Sequence, residues 1–392
     1  MKIPSFRCFT LFVVLVCSHS VLLLFIHRNV ASRKCTRQCK NRPKLRNLMQ
    51  PRTSLVQHAT QPAATDHRVQ VSDDEFHGTP FPGFNLSALK KFRAAVEKRT
   101  KLREYLFVTK NNTKLGEKFK CLETDEWVLD PGYVRITDRN FYNRLPRESP
   151  VKANVSFRAC SVVGNAGILK NSSCGKEIDS SSFVFRSNFP PIGGPFEDDV
   201  GMRTHFLTAN PSIFAKFYNN LKKTSHKKHL AEDLKRYARA LVWTHPFHLK
   251  RYSDVTLRAH DAAKMSQNYV LFSHPKFLKN LTAFWKEHGM KAPRASTGLA
   301  LATIAVSLCD QVTLYGFWPY PFYRQRALSY HYYDRAVIGD LQFQNKTLEY
   351  HLLTQFHPYH NFTEEFLMLQ EMQGSGILKV QVGECQGTGS ST

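Results

Sequence analysis

The chain has 392 residues, with 55 Lys and Arg against 31 Asp and Glu, a formal charge of +24. That length holds one large domain with accessory segments, or two domains. The charge attracts an acidic partner, but no zinc-finger spacing, RNP-type aromatic pattern or heptad-bearing basic region is present, so a nucleic-acid partner is not expected.

Taken in chain order, residues 1–7 form a short tail. Residues 8–26 form an apolar run long enough to cross a bilayer once. No small-residue cleavage site follows it, so a signal anchor is expected rather than a cleaved leader. The basic segment after the span would, by itself, put that side in the cytosol. Glycosylation sequons beyond the span argue the reverse, at Asn85, Asn111, Asn154, Asn171, Asn280, Asn345 and Asn361. So do the scattered cysteines. The expected topology is type II, with a luminal body.

Residues 27–84 are rich in Arg, Lys, Gln, Pro and Thr and read as a basic, flexible stem; residues 85–392 form the body. Leu86, Leu89, Phe92, Val96 and Leu102 have the spacing of one helix face. Residues 119–154 read as irregular.

From residue 155 strands and helices alternate. Strands are expected at 155–163, 182–186, 204–208, 239–243, 269–273, 311–317 and 377–382. Helices are expected at 211–223, 227–238, 275–288, 298–308 and 363–372. The run 298–308 is apolar all round and belongs inside. The alternation predicts an α/β fold, a mostly parallel Rossmann-like sheet flanked by helices.

Chemistry concentrates where apolar runs end. Gly164-Asn165-Ala166-Gly167 breaks the first strand, and Ile168 onward can turn into a helix. Asn188 and Asn210 end two more runs, and Asn210-Pro211-Ser212 is a helix-start signature. Open α/β sheets place ligands at such strand ends. The pairs His245/His248 and His357/His360 are spaced H-x-x-H, but Pro246 and Pro358 interrupt them and no third ligand is placed to help, so no metal is expected. Glu197-Asp198-Asp199 reads as a solvated turn.

Four stretches carry a resemblance. They are CSVVGNAGIL through THFLTANPSIF; Ser296-Thr297-Gly298 running into LALATIAVSLCDQVTLYGFWPY; His331-Tyr332-Tyr333-Asp334; and His360-Asn361-Phe362-Thr363-Glu364-Glu365. In this order they resemble the large, small, third and very small motifs of the eukaryotic sialyltransferases. Within that family EIDSSSFVFRSN, LYGFWPY and HYYD look like the α-2,8-sialyltransferase branch. The pieces FWKEHGMKAPRASTG and GILKVQVGEC look like its ganglioside and short-chain oligosialyl members more than its polysialic acid synthases.

The resemblance implies an inverting, metal-independent transfer of sialic acid from CMP-sialic acid to sialylated glycolipid or glycoprotein glycans. It implies a modified GT-A-like fold and a Golgi membrane location with the catalytic body in the lumen; the sequence leaves a homodimer open. Asn165, Asn188 and Asn210 would contact the donor. Ser296, Thr297, Gly298 and Trp318 would line the nucleotide pocket, with Trp318 expected to pack flat on the nucleotide. His331 would lie against the CMP phosphate, and His360 would be the general base. Cys160 would pair with Cys309, and Cys174 with Cys385. Cys121 is left over, Cys35 and Cys39 in the stem could link chains, and Cys8 and Cys17 read as apolar filler of the span. Ser187 stands where many branch members have a motif cysteine. A glycan on Asn361 would crowd the base, so that sequon is expected to be unused. The alternatives are a polysialic acid synthase, or a catalytically silent glycan-binding relative.

The chemistry is consistent with these roles. The anomeric centre of sialic acid is tertiary, so its bond to CMP breaks ahead of nucleophile attachment. The acceptor hydroxyl must still lose a proton, which an imidazole with a pKa of ~6.5 can take. A second imidazole can steady the charge that grows on the departing phosphate.

Overall fold

A computed structural model describes residues 79–120, 134–152, 155–247, 250–334 and 359–385. The expected tail, anchor and most of the stem lie outside these residues. So do Asn154, Asn345, Cys8, Cys17, Cys35, Cys39, Cys121, His248 and His357. Among the described residues no helix is long and apolar enough to cross a membrane.

The centre is a seven-stranded sheet. Its strands are β1 (Phe157–Val163), β2 (Phe183–Arg186), β3 (Phe206–Thr208), β4 (Leu241–Thr244), β5 (Tyr269–Phe272), β6 (Cys309–Tyr315) and β7 (Lys379–Gln381). They lie in the order β7-β6-β1-β2-β3-β4-β5, and every pairing is parallel. In register, Cys160 of β1 sits between Val312 of β6 and Phe183 of β2. The chain moves outward from β1 to β5, then crosses back to place β6 on the other side of β1. That reversal opens a crevice at the carboxyl ends of β1 and β6, where sheets of this kind bind ligands. A mostly parallel sheet with helices on both faces is thus what the molecule has.

The main helices are α1 (Leu86–Thr100), α2 (Gly175–Ser180), α3 (Pro211–Phe217), α4 (Thr224–Lys235), α5 (Lys250–Ala263), α6 (Pro275–Glu287), α7 (Thr297–Leu308) and α8 (Phe362–Gly374). One face of the sheet carries α1, α6, α7 and α8 around Val162, Phe185, Phe206, Trp243 and Leu271. The other carries α3, α4 and α5 around Leu207, Val242, Val270 and Phe272. The two sets alternate along the strands, as the two-residue side-chain period requires. In α7 every residue from Leu299 to Leu308 is buried, as its all-round apolar sequence demands. It is locked to α6 where the buried Trp285 indole N–H donates to Thr303 Oγ1 at 3.1 Å.

Several local expectations are corrected. No α-helix starts at Ile168; a single 3₁₀ turn spans Gly167–Leu169, and the next α-helix, α2, begins only at Gly175. Asn171 and Ser173 then take left-handed φ of 63° and 54°, which a helix cannot continue through. The expected helix 211–223 ends at Phe217, because Asn219, Asn220 and Leu221 are left-handed. Within the segment read as irregular, Lys118–Lys120 pairs antiparallel with Val134–Ile136. Asp199 is not merely solvated: its carboxylate accepts the N–H groups of Asn171 at 2.8 Å and Ser173 at 3.1 Å.

Two disulfides are present, Cys160–Cys309 across 149 residues and Cys174–Cys385 across 211. Loops this long are worth about 5 kcal/mol each in the chain-entropy account. At the far edge, Phe107 bridges Ser273 antiparallel and the Val108 N–H donates to Phe272 O at 2.8 Å. At the amino-terminal end, the N–H of Thr79 donates to Gln370 Oε1 at 2.9 Å, tying that segment to α8.

Thr303→Val should strand the Trp285 indole N–H and lower the unfolding free energy by about 1–3 kcal/mol. Urea denaturation followed by tryptophan fluorescence reads this, and an unchanged midpoint would contradict the role given to that bond.

Candidate functional site

The crevice is a cavity of about 310 Å³, the lower end of the usual size for a small-molecule site. Asn165, Asn188, Asn210, Ser296, Thr297, Gly298, Trp318, His331 and His360 all line it. The sequence places these nine residues across almost two hundred positions; the fold brings them together.

The floor is made by two turns lying backbone to backbone. Gly164 N–H donates to Tyr315 O at 2.7 Å and Ala166 N–H to Gly316 O at 3.2 Å. A Cβ on residue 164 would stand 2.5 Å from Gly316 O, and one on residue 167 only 2.0 Å from Ser329 O. Glycine is therefore required at both positions by close approach. Asn165 holds the next turn, donating from Nδ2 to Ser187 O at 2.9 Å, while its own carbonyl accepts the N–H of Tyr332 at 3.0 Å. Asn188 is left-handed (φ 59°), and its N–H donates to Thr208 Oγ1 at 2.9 Å. Asn210 sits at the N-cap of α3 but its side chain makes no cap bond, which leaves the amide for a ligand.

The wall opposite is the start of α7. Ser296 caps it, its Oγ accepting the Leu299 N–H at 3.1 Å. Thr297 and Gly298 follow, and the positive end of the helix dipole favours an anion there. Phe317 lies 3.1 Å from where a Cβ on Gly298 would be. Trp318 meets the expectation only in part. It lines the cavity, yet it is 8% exposed, its indole N–H donates to Phe322 O at 2.9 Å, and its ring stands edge-on to Tyr320, Tyr323 and Phe366. It closes the wall more than it offers a flat face.

The two histidines are held differently. His331 bridges Ala166, stacks on Tyr333 at 4.8 Å, and has Nδ1 3.3 Å from Asp334 Oδ2. Burial pushes its pKa down, with Asp334 opposing, so the ring resists charging until an anion joins it. His360 Nδ1 is 3.1 Å from Arg294 O. A carbonyl can only accept, so the proton is on Nδ1 and Nε2 carries the lone pair. That is the tautomer a base acting through Nε2 needs.

Two neighbouring carboxylates build this support: Glu365, which the sequence already marks as a structural carboxylate at a helix start, and Glu364; the loop they hold was not legible in the sequence. Glu364 accepts the N–H groups of Lys291 at 2.8 Å and Ala292 at 3.1 Å. Glu365 accepts the Ser296 N–H at 2.7 Å and its hydroxyl. They clamp both ends of the 291–296 loop, whose middle holds His360. Arg294 also stacks over Tyr359 at 4.4 Å, and burial lowers its pKa to about 10. Asn361 caps α8, its Oδ1 accepting the Glu364 N–H at 3.0 Å. Among the described residues no group of three or more His, Cys, Asp or Glu could hold a metal ion. His245 of the first H-x-x-H pair is a buried residue bonded to Ser273 Oγ at 2.9 Å.

Residues 107–377 match glycosyltransferase family 29 (sialyltransferase), and the chain belongs to that family. It is a glycosyltransferase, and every cavity residue falls within the matched span. An alpha-N-acetylneuraminide alpha-2,8-sialyltransferase of Xenopus tropicalis is 36% identical over 311 residues, 78% of this chain and 82% of that protein. The human alpha-2,8-sialyltransferase 8E is 32% identical over 304 residues, 77% of this chain and 74% of that one. A crystal structure of a mammalian sialyltransferase with Gal-beta-1-3GalNAc-ortho-nitrophenol aligns over 80% of this chain and 94% of that one, with 18% identity and a TM-score of 0.40.

Burial raises the Glu365 pKa to about 7. A carboxyl whose folded pKa is raised stabilises the fold fully at low pH, and that contribution is lost as pH rises through the folded value. The unfolding free energy of the native chain, less that of Glu365→Gln, should therefore fall between about pH 5 and 7. A difference that is flat or rises over this window would contradict the assignment.

Proposed function

We propose that the chain is an α-2,8-sialyltransferase that moves sialic acid from CMP-sialic acid to a glycan already ending in sialic acid, on a glycolipid or glycoprotein. The observation that carries the reading is the meeting of His331 and His360 on one cavity, beside the Asn165, Asn188 and Asn210 amides and the amino end of α7. The relatives named above, which cover most of the chain, support the linkage.

CMP would lie along the strand ends, its phosphate near Thr297, Gly298 and His331. As the glycosidic bond to phosphate lengthens, charge moves onto the leaving oxygen. His331, backed by Asp334, takes up a proton or strengthens its hydrogen bond there. The acceptor hydroxyl gives its proton to His360 Nε2 as it attacks the opposite face of the sugar, which inverts the centre. The Arg294 carbonyl steadies the ring as charge arrives on it. No step calls for a metal.

With this reading go a type II arrangement, residues 8–26 as signal anchor in the Golgi membrane, and the body from residue 85 in the lumen. The modified GT-A-like fold and a homodimer belong to the same proposal.

His360→Ala should lower kcat by about 10²–10⁴-fold while calorimetry still finds CMP bound. Near-normal turnover would remove His360 from the base role. CMP should bind more tightly as pH is lowered from about 8 to about 6, because the phosphate draws a proton onto His331. His331→Gln should bind more weakly and without that slope; an equal slope in both proteins would sink the role.

A further inference from the structure

Pro319 and Tyr330 both line the cavity, so the segment between them stands on the rim with both feet. It folds as a hairpin, Phe322–Tyr323 against Arg326–Ala327. Its base is fixed. Leu328 N–H donates to Pro321 O at 2.8 Å, the Trp318 indole to Phe322 O at 2.9 Å, and Arg326 Nη1 to Lys170 O at 2.9 Å. The tip is two residues, Arg324 and Gln325, with left-handed φ of 45° and 62°. Turns of this kind ordinarily take Asn-Gly or Asp-Gly. The backbone therefore gives no reason for an arginine there, and strain of this sort gathers at ligand clamps. Arg324 is exposed, with its guanidinium 5.3 Å over the Tyr323 ring. Among the described residues it has no carboxylate within ion-pair distance. Phe322 beside it is 42% exposed. A preorganised guanidinium next to an open aromatic face suits a sugar that carries a carboxylate.

We infer that this hairpin is the acceptor-facing lip of the cavity and that Arg324 binds a carboxylate of the sialylated acceptor. The inference rests on the transferase reading above. Arg324 is five chain steps beyond Pro319, so the tip stands within about 17 Å of the rim. That reach suits an acceptor chain entering from solvent, whereas the nucleotide is held within the cavity. Arg324 is thus a specificity residue outside the chemistry. It selects acceptors that already carry sialic acid.

The test uses the full chain, CMP-sialic acid, a panel of sialylated lipid and glycoprotein glycans, and the best acceptor again as its carboxylate methyl ester. Arg324→Gln should raise the acceptor KM about tenfold, the loss of one charge-assisted hydrogen bond. The donor KM and kcat should hold, and Arg324→Lys should recover part of the loss. Esterification should weaken the native chain about as much and the Gln variant no further. An unchanged acceptor KM, an equal rise in the donor KM, or an ester penalty alike in both proteins overturns the inference alone. A native chain that transfers to no member of the panel overturns the transferase reading, and the inference with it.

Discussion

Everything in the cavity hangs on two polypeptide turns that touch without side chains between them. The turn after β1 donates two backbone N–H groups, from Gly164 and Ala166, to the Tyr315 and Gly316 carbonyls where β6 ends. The missing Cβ at residue 164 is what permits that distance. β1 and β6 are parallel neighbours that end side by side, Val163 opposite Tyr315, and the tie continues their pairing into the turns beyond. The tie fixes the width of the crevice. It also brings the segment carrying His331 down onto Asn165, through the Ala166 bridge and the Tyr332 hydrogen bond.

The second histidine reaches the same space by a different route. It precedes α8, and α8 is moored to the loop ahead of α7 by two successive glutamates. A buried carboxyl is unfavourable unless donors surround it, and Glu365 has the Ser296 N–H and hydroxyl, while the half-buried Glu364 takes two further backbone N–H groups. The result is a rigid junction between two helix starts, with one carbonyl left over to orient an imidazole. One histidine is set by the sheet and the other by helix junctions, so the distance between them depends on how α7 and α8 pack on β1 and β6.

Much of this was readable in advance. Uninterrupted apolar runs ended by Gly or Asn marked the strands, and Asn210-Pro211 marked the start of α3, because those residues change what the backbone can do locally. The motif resemblance supplied the site residues, which periodicity alone could not have chosen from 17 histidines. What escaped was non-local. Helix α5 was not foreseen because its buried positions include Ser253, Thr256, Ala259 and Ala263, small residues that hydropathy does not flag. The close approach that demands glycine at 167 is made by the Ser329 carbonyl, 162 residues further along the chain. The hold of Glu364 and Glu365 on the 291–296 loop is invisible until that loop is laid against them.

The covering of β5 by Phe107 and Val108 has a consequence for self-association. An open edge strand recruits a second copy by main-chain pairing. Here the chain's own earlier segment occupies that place at the carboxyl end of β5, where the Val108 N–H takes the Phe272 carbonyl and Phe107 bridges Ser273. Over that end of the strand a second copy would have to meet helix faces and side chains, with a geometry set by shape and charge rather than by a ladder of amides.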